Sequence, residues 1–205
     1  MSLKPKTLSF GRLTNPYPNP NEIPKSQTVD LGNGSQIVYS PRFLSFEDSW
    51  KWFEYLNNEI PWTTPTLRVF GRSCLQVHKA LPGSSFNSLL LNRYKSGNEY
   101  VGWHSDDEKL YGSTPEIATV SFGCDRDFLL KKKKHKNSSQ ERINDEEPVT
   151  KRLKKSSHVD QHSFNLKHGS LLVMKGYTQR DWLHSLPKRA KAEATRISLT
   201  FRHVL

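Results

Sequence analysis

The chain has little sulfur: two cysteines, Cys74 and Cys124, and two methionines in 205 residues. Two thiols cannot build a disulfide framework, which excludes the small stapled secreted folds and leaves two reduced, buried thiols as the expectation. Apolar residues are also scarce, at 34%, and the mean hydropathy is -0.72. Part of the chain is therefore expected to lie outside any core. No apolar run approaches the ~20 residues that a membrane-spanning helix needs, so no membrane partner is expected. The first residues, Met1 to Leu13, lack the apolar core of a secretory signal. Acidic residues fall short of basic ones, 20 against 31, for a net charge of +11. Such an excess calls for a polyanionic partner, nucleic acid first, although one charged tail could produce it alone.

What is present falls into four stretches. Residues 1–34 read as a disordered N-terminal tail, with Pro5, Pro16, Pro18, Pro20 and Pro24 among Asn, Lys and Ser. The folded domain, residues 35–205, opens with a short strand after the turn residues Gly32-Asn33-Gly34. Ser45 and Asp48 form a capping-box pattern, and Phe46, Trp50, Phe53, Leu56 and Ile60 repeat at helical spacing as a core-facing stripe that Pro61 ends. Strands follow at Leu67–Phe70, Phe86–Tyr94, Glu116–Phe122, Arg126–Leu130, Ser170–Met174 and Thr195–Val204. One early helix before many strands predicts a mostly β (α+β) fold, a double-sheet jelly roll or a barrel. Residues 131–162 interrupt the rhythm. Two basic clusters, Lys131–Lys136 and Lys151–Lys155, flank an acidic patch, with almost no large apolar residues. They read as a flexible insertion, and as either a bipartite nuclear localisation signal or a non-specific basic loop.

Candidate chemistry begins at Trp103-His104-Ser105-Asp106-Asp107-Glu108. In extended backbone His104 and Asp106 point the same way. Imidazole plus carboxylate supplies two ligands of a facial triad, the arrangement of non-haem iron(II) sites, which needs a second histidine. Taken alone, the pair also fits a surface histidine beside an acidic turn. His78, His135, His158, His162, His168, His184 and His203 could complete the set. His135, His158 and His162 lie in or beside the insertion, and His168 sits in a turn. His184, within Trp182-Leu183-His184-Ser185-Leu186, has the apolar setting that excludes water. The last strand then alternates: Ile197, Leu199 and Phe201 on one face, Arg196, Ser198, Thr200 and Arg202 on the other. Arginines on an inward face need anions, and a dicarboxylate would serve both ends; a half-exposed strand with solvated arginines is the simpler meaning of this strand alone. Asn92 and Tyr94 share a face of an earlier strand and could also reach a carboxylate.

Together, Asn92-x-Tyr94, His104-x-Asp106, His184 and the Arg196/Arg202 pair, in that order, resemble the AlkB family of iron(II)- and 2-oxoglutarate-dependent dioxygenases, and within it the nuclear DNA-repair members. Val120-Ser121-Phe122-Gly123, Arg126-Asp127-Phe128, His168-Gly169-Ser170-Leu171-Leu172 and Leu199-Thr200-Phe201-Arg202 carry the same likeness. The resemblance implies a double-stranded β-helix and a monomeric nuclear enzyme. It implies iron held by His104, Asp106 and His184. Asn92, Tyr94, Arg196, Thr200 and Arg202 would take the co-substrate 2-oxoglutarate, with Arg196 on its distal carboxylate. The implied reaction uses O2 to demethylate 1-methyladenine and 3-methylcytosine in double-stranded DNA, releasing formaldehyde, succinate and CO2. Asp107 and Glu108 would lie near the damaged base. Val69-Phe70-Gly71 resembles the finger that fills the stack where a base has been flipped out; by itself Phe70 reads as a core residue at a strand end.

The family pattern has a long stretch between that finger and the Asn92 strand, including a lid over the base. Here only Gly71 to Gly83 separates them, so the lid is expected to be missing. A shortened chain of this kind could act as a nucleic-acid-binding form with impaired catalysis instead of a repair enzyme.

Overall fold

A computed structural model of the protein describes residues 26–62, 68–70, 81, 83–134 and 160–205. The chain begins with the hairpin β1 (Gln27–Gly32) and β2 (Ser35–Ser40), followed by α1 (Phe46–Glu59), β3 (Arg68–Phe70), β4 (Ser88–Tyr94) and β5 (Val101–His104). A 3-10 turn at Lys109–Tyr111 leads to β6 (Ile117–Gly123), β7 (Arg126–Lys132), β8 (Gln161–Leu166) and β9 (Ser170–Gly176). The short helix α2 (Thr178–Asp181) runs directly into β10 (Trp182–Leu186), and β11 (Arg196–Arg202) ends the fold. The strands form a seven-stranded sheet, β1-β2-β9-β6-β11-β4-β3, and a four-stranded sheet, β5-β10-β7-β8, with every pairing antiparallel. This is the mostly β jelly roll expected from the sequence.

Period-two alternation gives the larger sheet two different buried faces. Ile197, Leu199 and Phe201 of β11, with Val120 and Phe122 of β6 and Leu171 and Val173 of β9, pack beneath Leu56 of α1. Each such side chain removed from water stabilises the fold by roughly 1.5–3 kcal/mol. The opposite face meets the smaller sheet: Ile37, Ile117, Leu172 and Met174 pack against Leu130, Leu166, Trp182 and Leu186. Towards β11 and β4 this second face turns polar, and a cavity opens there between the sheets. A one-residue slip of β11 would exchange its arginines with its apolar set, so both faces pin its register.

The structure revises several sequence-based expectations. Residues 27–32, assigned to the tail, form β1. Gly32, Asn33 and Gly34 all have positive φ (82°, 52° and 72°), so they close a hairpin, and Leu31 is buried. The insertion is narrower than 131–162, since Lys131 and Lys132 belong to β7 and Gln161 and His162 to β8. On the helix Ser45 caps α1 as expected, accepting from the Asp48 N–H, and Leu56 is buried. Phe46 and Trp50 are exposed by 60% and 40%, each with its ring against His168 on one side and the rest in solvent. Cys124 is half-buried, not enclosed, and Cys74 lies outside the described residues.

Candidate metal centre and anion pocket

β10 brings the two histidines together. In its antiparallel register with β5, His184 stands directly opposite His104, and the ring centroids are 4.1 Å apart. Asp106, two residues beyond His104, completes a group whose ligand atoms all lie within 4.8 Å of one another. The His104 Nδ1 is 2.9 Å from the Gly102 carbonyl, which can only accept, so Nδ1 is the donor of this bond and Nε2 is the nitrogen left to face Asp106. That Nε2 is 3.9 Å from Asp106 Oδ1. His184 is buried, and burial, with neighbouring His104 acting in the same direction, pushes its pKa down to about 3. It is therefore neutral and able to ligate. Phe128 stacks on its ring at 5.3 Å and 25°, forming an apolar wall. Two imidazoles and a carboxylate in this geometry fit an iron(II) facial triad.

Two features hold Asp106. Its Oδ2 accepts from Arg202 twice, from Nη2 at 2.6 Å and Nε at 3.2 Å. Its backbone N–H donates to the Gln179 Oε1 at 2.9 Å. Gln179, on α2, had no signal in the sequence beyond its nearness to His184.

The cavity between the sheets encloses about 330 Å³. His104, Asp106 and His184 line it with Asn92, Tyr94, Arg196, Thr200 and Arg202, so every residue named for metal and co-substrate reaches one space. Arg196 is 2% exposed. Its Nη2 donates to Ser121 Oγ at 3.0 Å, its guanidinium lies 5.2 Å from the Tyr94 ring centroid, and its Nε has no partner. Desolvation holds its pKa below the usual arginine value. No carboxylate pairs with it among the described residues. A buried guanidinium facing a cavity without a protein counter-ion is a seat for an anion.

The remaining assignments divide. Glu108 lines the cavity, whereas the Asp107 carboxylate turns away to Lys133 Nζ at 3.1 Å, which holds its pKa below the ordinary carboxylate value. Val69 and Phe70 sit in edge strand β3, paired with Leu89 and Ser88, not on a turn; Gly71 and His78 lie outside the described residues. His168 is no ligand: its Nδ1 accepts from the Gly123 N–H at 2.8 Å. Arg126 was missed as a structural residue. Buried at 1% exposure, it donates to the carbonyls of Ser96, Glu99 and Pro187, tying the loops around β5 and β10 together.

A two-sheet fold with this donor set defines a mononuclear non-haem metal enzyme. The model of the 2OG-Fe(II) oxygenase superfamily matches residues 71–202, and the chain belongs to that superfamily as an AlkB-type dioxygenase using iron(II) and 2-oxoglutarate. It is 55% identical to the DNA oxidative demethylase ALKBH2 of Arabidopsis thaliana, over 92% of this chain and 72% of that protein. It is 40% identical to the alpha-ketoglutarate-dependent dioxygenase alkB homolog 3 of Bos taurus, over 91% and 74%. The human DNA oxidative demethylase ALKBH2 shares 40% identity over 60% of this chain and 41% of its own. The Arabidopsis alignment runs over 227 positions but takes in only 92% of the 205 residues here, about 189, so about 38 positions of the relative have no counterpart in this chain.

Proposed function

We propose that this protein is a nuclear DNA oxidative demethylase that removes N-methyl groups from 1-methyladenine and 3-methylcytosine in double-stranded DNA. The observation that carries the reading is the single cavity with a His104/Asp106/His184 donor set in one wall and the buried, carboxylate-free Arg196 in another. Iron(II) with 2-oxoglutarate and O2 supplies the oxidising chemistry when bound there. The chain's own residues do the rest. His104 Nε2, Asp106 and His184 hold the metal. Arg196, on the cavity wall, would take the far carboxylate of 2-oxoglutarate, and Asn92, Tyr94, Thr200 and Arg202 would line its bed. Phe128 keeps water from the metal side, which strengthens every charge interaction within. The relatives named for DNA demethylation support the substrate class, and the net charge of +11 suits a polyanion. Glu108 lines the cavity and would lie near a flipped base, and Val69-Phe70-Gly71 would serve as the wedge that fills the stack.

The test is mass spectrometry of a duplex oligonucleotide bearing one 3-methylcytosine, incubated with protein, iron(II), 2-oxoglutarate and oxygen. Loss of one methyl by the wild type, and none by His104→Ala, is expected. A second reading is a nucleic-acid-binding form with impaired catalysis, favoured by the relative's positions that have no counterpart in this chain. It requires duplex binding with no methyl loss from a folded protein that binds 2-oxoglutarate.

A further inference from the structure

Three consecutive carboxylates, Asp106, Asp107 and Glu108, follow His104, yet only Asp106 joins the donor group. We infer that Gln179 and Lys133 form a clamp that selects Asp106 from this acidic triplet, which makes both of them positioning residues for the metal site. The inference rests on the metal reading above and adds residues that the reading does not include.

The geometry is closed on two sides. Gln179, 1% exposed, accepts the Asp106 N–H on Oε1 at 2.9 Å while its Nε2 lies 3.2 Å from Met174 Sδ. Both ends of the amide are thus engaged, which fixes which end faces Asp106. The Gln179 carbonyl accepts from Lys133 Nζ at 2.9 Å, and the same ammonium holds Asp107 Oδ2 at 3.1 Å. One residue of α2 therefore fixes the backbone of Asp106, and the lysine on its carbonyl draws the next carboxylate outward. Ser105 Oγ donates to Asp107 Oδ2 at 3.0 Å and reinforces the outward pull. α2 runs without a break into β10, so the element that delivers His184 also sets Asp106. Residues 105–108 are neither helix nor strand and lack a ladder to hold them, so these contacts supply the order. Hydrogen bonds behind a ligand of this kind typically change metal affinity by about 10–100-fold when removed.

The test uses the full chain without metal, with Mn(II) as the probe. Gln179→Met keeps volume and apolar contact with Met174 but leaves the Asp106 N–H without its acceptor. Lys133→Met removes the outward pull on Asp107. Expected results are about a tenfold rise in the Mn(II) Kd for Gln179→Met and a smaller rise in the same direction for Lys133→Met. Both variants should speed amide hydrogen exchange across residues 105–108, with exchange in β11 unchanged. Unchanged exchange at 105–108 and unchanged Mn(II) affinity would overturn the clamp. If Gln179→Met does not fold, Lys133→Met decides alone by the same two readings. A wild type that binds no Mn(II) removes the metal reading instead, and exchange at 105–108 still judges the contacts.

Discussion

Arg196 and Arg202 stand at opposite ends of one strand, face the same cavity and are both buried, at 2% and 9% exposure. Their partners differ. Arg202 makes two bonds to Asp106, at 2.6 and 3.2 Å, while Arg196 has a serine hydroxyl, an aromatic ring and an Nε without a partner. The first cation is neutralised by the protein; the second is left for something that arrives. Burying a guanidinium unpaired costs several kcal/mol, so the two ends of β11 should respond oppositely to the same substitution.

The largest expected effect is at the paired end. Arg202→Met leaves the largely buried Asp106 carboxylate without its cation, and stability should fall by about 3–5 kcal/mol, read from urea unfolding of the metal-free protein. Arg196→Met should leave stability within ~1 kcal/mol of wild type, because a lost bond to Ser121 is offset by relief of the unpaired charge. Its cost should appear in the ligand instead. The 2-oxoglutarate Kd, measured calorimetrically on protein loaded with Mn(II), should rise about 10–100-fold, the worth of a charge-assisted bond. Equal destabilisation by the two variants would erase the distinction. Between these two arginines lies a control on the other face. Ile197→Val should cost about 0.5–1.5 kcal/mol of stability and leave the 2-oxoglutarate Kd unchanged, since Ile197 packs beneath α1 and not in the cavity.

Much of this contrast was legible in the sequence, because alternation along a strand is a local property. The division of β11 into Ile197, Leu199 and Phe201 against Arg196, Ser198, Thr200 and Arg202 needed only the period of two. The approach of His104 to His184 did not follow from local pattern; it came from family resemblance, since a register between strands eighty residues apart has no local signature. Which arginine was already paired could not be read at all, because it depends on where Asp106 lands after the chain leaves β5. Gln179 was silent for the same reason. The tail boundary failed because a proline-rich run masked the short alternation of Val29 and Leu31 before the Gly32 turn. The helix stripe misled in the other direction: helical spacing reports a face, not how deeply each residue on it is buried.

The smallest effect expected is a pH dependence, and it separates the two sheet faces again. His168 lies outside the cavity, against Trp50 with ring centroids 4.4 Å apart, and its Nδ1 must stay unprotonated to accept the Gly123 N–H. Burial lowers its pKa from the ordinary 6.5, with Asp125 opposing. Below pH 6.5 the unfolded chain therefore binds a proton that the folded chain resists. Stability is fully present above 6.5 and is lost as pH falls towards the folded-state value. His162 and His184 are shifted the same way by burial, and Asp107 adds its share below the ordinary carboxylate value, so the wild-type slope belongs to several groups. His168→Gln isolates one share, because a glutamine oxygen can accept the Gly123 N–H without titrating. Urea unfolding of this variant should show a shallower acid-side fall than wild type, with a 2-oxoglutarate Kd that does not move. An identical slope would mean that the turn at His168 opens freely, and that the face beneath α1 tolerates a charge that the cavity face accepts only when paired.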